Sequence, residues 1–99
     1  MKNNTGNLEF LNSLEALISD RKLNPVEGSY TNHLFDRGLP GIIRKVGEEA
    51  VEVMVSTLES RERIVSESAD LIYHLLVLLA EKDIKLEDVV KELEGRHSK

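Results

Sequence analysis

The chain has no cysteine and no tryptophan, and proline occurs only at Pro25 and Pro40. Without thiols there is no disulfide framework and no thiolate metal site, a composition that fits a reducing cytoplasm. No apolar run approaches the about 18 residues of a membrane-spanning helix. The start Met-Lys-Asn-Asn-Thr-Gly also lacks the apolar core of a secretion signal. Neither membrane spanning nor secretion is expected. Positive charge is scarce as well: 13 bases face 18 acids, for a net charge of −5. That balance disfavours broad nucleic-acid binding. It leaves room for a small polyphosphate, because a metal ion can bridge an acidic pocket to phosphate oxygens.

At 99 residues the chain is expected to form one small domain over 1–99, with 1–6 as a flexible start. A domain of this size buries only about 60–70% of its unfolded surface, so a second subunit is a natural source of stability. No segment alternates with period two, and the expected fold class is an all-α helical bundle. Leu8, Leu11, Leu14, Leu17 and Ile18 define the buried face of a first helix over Gly6–Asp20. Asn24-Pro25 breaks the chain, and Glu27-Gly28 prolongs the loop. Ser29 suits the N-cap of a short helix over Tyr30–Arg37, stopped by Gly38. Pro40 suits the first turn of a helix that reaches Glu59. Two more are expected over Arg63–Lys82 and Leu86–Glu94, the last ended by Gly95.

At about 100° per residue, the helix from Pro40 carries Ile42, Val46, Ala50, Val53 and Thr57 on one face, and Val51 and Val55 widen its apolar arc. The helix from Arg63 is apolar on most sides. A narrow polar stripe of Glu67, Asp70, His74 and Glu81 is all that remains. A helix apolar nearly all round belongs inside a bundle. With so few helices in one chain, a partner subunit is needed to surround it.

Glu52 lies three residues from Glu49 and four from Glu48, and Glu67, Asp70 and His74 follow the same spacing. Like charges so placed repel by about 0.2–0.5 kcal/mol per exposed pair. Partial burial makes an uncompensated carboxylate costlier still. A bound cation would relieve both penalties. Oxygen donors without thiolate favour Mg²⁺ or Mn²⁺ over zinc. The chemistry such a site supports is attack of a metal-activated water on phosphorus. The competing reading is a solvated acidic face. His74 taken alone is a core or supporting histidine, Tyr30 and Phe35 are core anchors, and Lys45 either pairs with Glu49 or reaches a phosphate. Gly47 costs about 1 kcal/mol relative to alanine inside a helix; tight packing or room for a bound group would each explain it.

Glu48-Glu49-x-x-Glu52 followed by Glu67-x-x-Asp70 resembles the acidic signature of the MazG-like all-α nucleotide pyrophosphohydrolases. Ser29-Tyr30-Thr31, the segment Leu34 to Gly38, Lys45 to Glu49 and Ala69 to Leu79 resemble the phosphoribosyl-ATP pyrophosphohydrolase family, and the likeness extends over Leu8 to His97. The resemblance implies hydrolysis of phosphoribosyl-ATP to phosphoribosyl-AMP and pyrophosphate, the second step of histidine biosynthesis, by a cytoplasmic homodimer that uses Mg²⁺ or Mn²⁺. It implies Glu48, Glu49, Glu52, Glu67 and Asp70 as metal ligands, with Glu49 or Glu52 as the catalytic carboxylate that handles the water. It implies Lys45 as a phosphate contact, and Ser29, Tyr30, Thr31 and His74 beside the substrate. Phosphoribosyl-AMP cyclohydrolase, fused to this domain in some relatives, is expected as a separate protein. Pro40-Gly41 at a helix entry and Lys85 in place of a capping hydroxyl depart from the family pattern. Two other readings stand beside this one: a pyrophosphohydrolase for another nucleoside triphosphate, and a non-enzymatic helical dimerisation module whose acids are structural.

Overall fold

The helices begin where a side chain can take up their orphan amides. In the computed structural model, which describes residues 6–98, the order is α1 (Phe10–Leu23), α2 (Tyr30–Ser56), α3 (Arg61–Glu81) and α4 (Leu86–His97), with no strand among the described residues. The all-α class is as expected; the expected flexible start lies outside the described residues up to Thr5. Ser29 accepts a hydrogen bond from the Asn32 amide (3.2 Å) at the head of α2, and Ser60 accepts one from the Arg63 amide (3.2 Å) at the head of α3.

Several boundaries differ from those expected. α1 starts at Phe10 because Asn7 holds the preceding turn, its side chain accepting from the Glu9 amide (2.9 Å) and its carbonyl from that of Phe10 (2.9 Å). It continues to Leu23, since nothing before Asn24-Pro25 interrupts it. α2 ends at Ser56 rather than Glu59: the Ser56 and Thr57 hydroxyls donate to the carbonyls of Val53 (2.7 Å) and Met54 (2.6 Å), and the chain tightens into a turn. The Ser60 cap moves the start of α3 forward to Arg61. Gly95 does not stop α4, which runs on to His97 with an Arg96–Glu92 ion pair (3.0 Å) spanning the glycine.

The expected break at Gly38 is present inside α2. Its φ of 76° and ψ of −178° lie in a region essentially reserved for glycine, so the segment from Tyr30 and the segment from Pro40 meet at an angle there. The expected face of α1 is narrower than its leucines suggest, with Leu8 83% and Leu17 47% exposed. The core is Ile18, Leu34, Ile42, Leu76, Val77 and Ala80, against which Leu11, Leu14 and Phe35 pack. Phe35 is thus the anchor expected, whereas Tyr30 is half exposed.

α1 also serves the ends of other helices. Lys22 Nζ donates to the carbonyls of Ala80 (2.9 Å) and Glu81 (3.3 Å) at the end of α3. Glu15 accepts from the Leu86 amide (2.6 Å), supplying the cap that Lys85 lacks. Buried Asn32 fastens the α1–α2 loop, donating to the Arg21 carbonyl (2.7 Å) and accepting from the Val26 amide (2.8 Å). Replacing Gly38 by alanine, Gly38→Ala, is expected to destabilise the fold by about 1–3 kcal/mol, measured by urea unfolding; an unchanged midpoint would show that the break is not needed.

Candidate metal centre

α2 and α3 form the main interface of the chain, and the acids lie in it. The inward positions of α2 are Ile42, Val46, Glu49, Val53 and Ser56, and those of α3 include Ile64, Glu67, Leu71 and His74, all buried or half-buried. Their three- and four-residue steps are those of a helix–helix seam. Glu49 and Glu67 thus take positions that aliphatic side chains fill elsewhere in the seam, and retain 9% and 8% exposure. Glu67 and His74 of the polar stripe of α3 turn inward, Asp70 stays at its open edge, and Val65, Ile72 and Leu75 face outward.

One carboxylate oxygen from each of Glu49, Glu67 and Asp70 lies within 4.8 Å of the others. Asp70 is exposed and forms the open side of this triad. Two cations neutralise the buried pair. Lys45 Nζ lies 3.2 Å from Glu49, and Arg63 Nη1 lies 2.5 Å from Glu67 while its Nε holds Glu59 at 2.9 Å. The hydrogen bond to Glu49 raises the pKa of the Lys45 ammonium, and those to Glu59 and Glu67 raise that of the Arg63 guanidinium, so both stay charged. Glu48 and Glu52 are exposed and lie outside the triad; Glu48 sits 3.6 Å from Arg44 and 3.9 Å from Lys45.

His74 is 5% exposed and bonded at both ring nitrogens. Its Nδ1 is 2.7 Å from the Asp70 carbonyl and its Nε2 is 2.9 Å from the Tyr30 hydroxyl. A carbonyl can only accept, so Nδ1 carries a proton and donates to Asp70, and Nε2 is left to pair with the Tyr30 hydroxyl. Burial raises the Tyr30 pKa, with Lys45 opposing it, which keeps the phenol a donor. His74 therefore joins Tyr30 to the α3 turn that bears Asp70. Thr31 bonds the Tyr73 hydroxyl, and Ser29 is occupied as a cap. Arg63 was not among the residues singled out by sequence; the i, i+4 ladder Glu59–Arg63–Glu67 was its only signal. Nothing lies within 4 Å of a Cβ placed on Gly47, so tight packing within the described chain does not explain that glycine.

Three converging carboxylates without sulfur or ring nitrogen form a donor set suited to a hard divalent cation. A model of the family described as phosphoribosyl-ATP pyrophosphohydrolase matches residues 11–97. The chain belongs to this family. It is 51% identical over 92 residues to the phosphoribosyl-ATP pyrophosphatase of Clostridium acetobutylicum, covering 92% of this chain and 84% of that relative. It is 54% identical over 89 residues to the enzyme of the same name from Listeria innocua, covering 90% and 86%. A histidine biosynthesis bifunctional protein from Caldanaerobacter subterraneus is 55% identical over 93 residues, but the match spans 45% of its length. Family membership identifies the chain with a hydrolase family of histidine biosynthesis. Among the described residues, no helix is long and apolar enough to cross a membrane.

Removing the counter-ion of a carboxylate in the seam leaves an unsatisfied charge there. Lys45→Met is expected to lower the unfolding free energy by about 1–3 kcal/mol in Mg²⁺-free buffer, measured from the denaturant midpoint; no change would mean that Glu49 is adequately solvated without the lysine.

Proposed function

We infer that this chain hydrolyses phosphoribosyl-ATP to phosphoribosyl-AMP and pyrophosphate in the cytoplasm, as the second step of histidine biosynthesis. The observation that carries the reading is the carboxylate triad in the α2–α3 seam of a member of this family. Glu49, Glu67 and Asp70 would hold Mg²⁺, or Mn²⁺ in its place. Glu52, exposed and one helical turn beyond Glu49, would join them by rotating its side chain, and Glu48 would support the outer edge. The bound ion would neutralise phosphate oxygens and acidify water.

The chain's own groups then have separable tasks. Water adds across the α–β anhydride bond, which breaks to release phosphoribosyl-AMP and pyrophosphate. Glu52 or Glu49 accepts the proton released by the water. Lys45, between Glu48 and Glu49, would turn its ammonium toward a phosphate oxygen of the bound substrate. Tyr30 stands beside the substrate with its ring held by His74. Ser29 and Thr31 set the backbone around Tyr30 through the bonds they make to Asn32 and Tyr73. Phosphoribosyl-AMP cyclohydrolase is the partner reaction that consumes the product.

The reading includes a homodimer. Val51, Met54 and Val55 on α2 and Val65 and Ile72 on α3 are between 44% and 62% exposed, and burial of such residues against a second copy would remove apolar surface from water. Sedimentation at micromolar concentration is expected to give twice the chain mass; a monomer would remove this part of the reading.

The direct test of activity is pyrophosphate release from phosphoribosyl-ATP with Mg²⁺. The wild type is expected to turn over, Glu49→Gln and Asp70→Asn are expected to lose turnover by about 10²-fold or more, and Mg²⁺ is expected to raise the melting temperature of the wild type more than that of either variant. Full turnover by both variants would refute the site. A rise in metal-free stability without any Mg²⁺ response would instead favour acids that are structural.

A further inference from the structure

The segment around the Gly38 break gathers positive charge in a protein whose net charge is −5. Arg37, Arg44 and Lys45 line a cavity of about 300 Å³ together with Tyr30, His33 and Glu48. Glu48 is the only carboxylate in that lining, and it is shared: Arg44 lies 3.6 Å and Lys45 3.9 Å from it, both beyond the 2.7–2.9 Å of a charge-assisted hydrogen bond. Arg37 makes no ion pair with a carboxylate among the described residues. Its position is sterically prepared. A Cβ at Gly41 would lie 2.8 Å from the Arg37 Cβ and 3.0 Å from its Nε, so the guanidinium arm lies over space that a side chain would otherwise occupy. The cavity adjoins the carboxylate triad through Lys45, whose Nζ is 3.2 Å from Glu49.

A triad suited to a divalent cation on one side of Lys45, and on the other an unpaired Arg37 beside an Arg44 that has only a long ion pair to Glu48, fit a ligand with two separate anionic ends. Phosphoribosyl-ATP is such a ligand: it carries its triphosphate and, on the added ribose, a phosphomonoester that ATP lacks. We propose that Arg37 and Arg44, with Gly41 making room for Arg37, form the subsite that binds this phosphomonoester and so distinguish phosphoribosyl-ATP from ATP. Guanidinium groups suit the role because their planar donors can engage two phosphate oxygens at once. Lys45 stays with the triphosphate end. The assignment rests on the substrate proposed above but concerns residues outside the triad.

The experiment compares the wild type with Arg37→Gln, Arg44→Gln and Gly41→Ala. Circular dichroism checks folding, and exposed Arg44 can be changed without touching the core. The KM for phosphoribosyl-ATP is expected to rise about tenfold or more in each arginine variant with kcat little changed, and to rise less in Gly41→Ala. Ribose 5-phosphate, used as a competitive inhibitor and in direct calorimetric binding, is expected to weaken by the same factor. The inhibition constants of ATP and pyrophosphate are expected to stay put. Equal losses for ATP and ribose 5-phosphate would assign the arginines to the triphosphate and overturn the proposal, as would an unchanged KM. Absence of phosphoribosyl-ATP turnover by the wild type would count against the proposed function instead, with ribose 5-phosphate calorimetry still deciding the subsite.

Discussion

Placing two carboxylates in the seam between the two longest helices is the constraint to which much of this structure answers. Uncompensated charge at positions as sheltered as Glu49 and Glu67 would oppose α2–α3 packing, because desolvation weakens a carboxylate's hold on its charge. Each has a basic residue one helical turn earlier on its own helix, Lys45 and Arg63. The pairs are local, so neither needs a distant element to be in place. The seam can therefore close with each buried acid beside a base, and the exposed Asp70 leaves one side of the triad open. A site of this kind sits on rigid helices, with its geometry set by helix packing instead of by loop conformation.

Polar contacts of longer range then organise the smaller helices around that seam. α1 contributes a cation to the last carbonyls of α3 and an anion to the first amide of α4, each opposite in sign to the partial charge of the helix end it meets. Asn32 links the same helix to the entry of α2. Such contacts give a short helix value beyond its modest apolar face, which buries only Ile18 completely. α4 has no fully buried residue, so its attachment depends more on Glu15 and on Leu86 packing against the core.

Much of this was legible in the sequence because it is governed by neighbouring residues. The Ser29 cap, the Gly38 break, the helical class and the spacing of the acids all depend on short-range rules. The direction of the acidic stripe was less accessible. Periodicity gives a helix its faces but does not say which face meets a helix of the same chain and which remains open, and on α3 Glu67 and His74 turn in while Ile72 and Leu75 turn out. Glu15, Lys22 and Arg63 escaped notice for a related reason: an exposed-looking charge reveals its partner only once the chain is folded. Gly95 misled because an i, i+4 ion pair carried the helix across a residue that usually ends one.

The break at Gly38 also separates Arg37 from Lys45. Were α2 continuous, those two cations would keep the fixed stagger of a regular helix. Instead, their spacing and relative direction follow from the backbone angles of a residue without a side chain. The length of ligand this surface would span is therefore set first by the backbone, at a residue that itself touches nothing bound there.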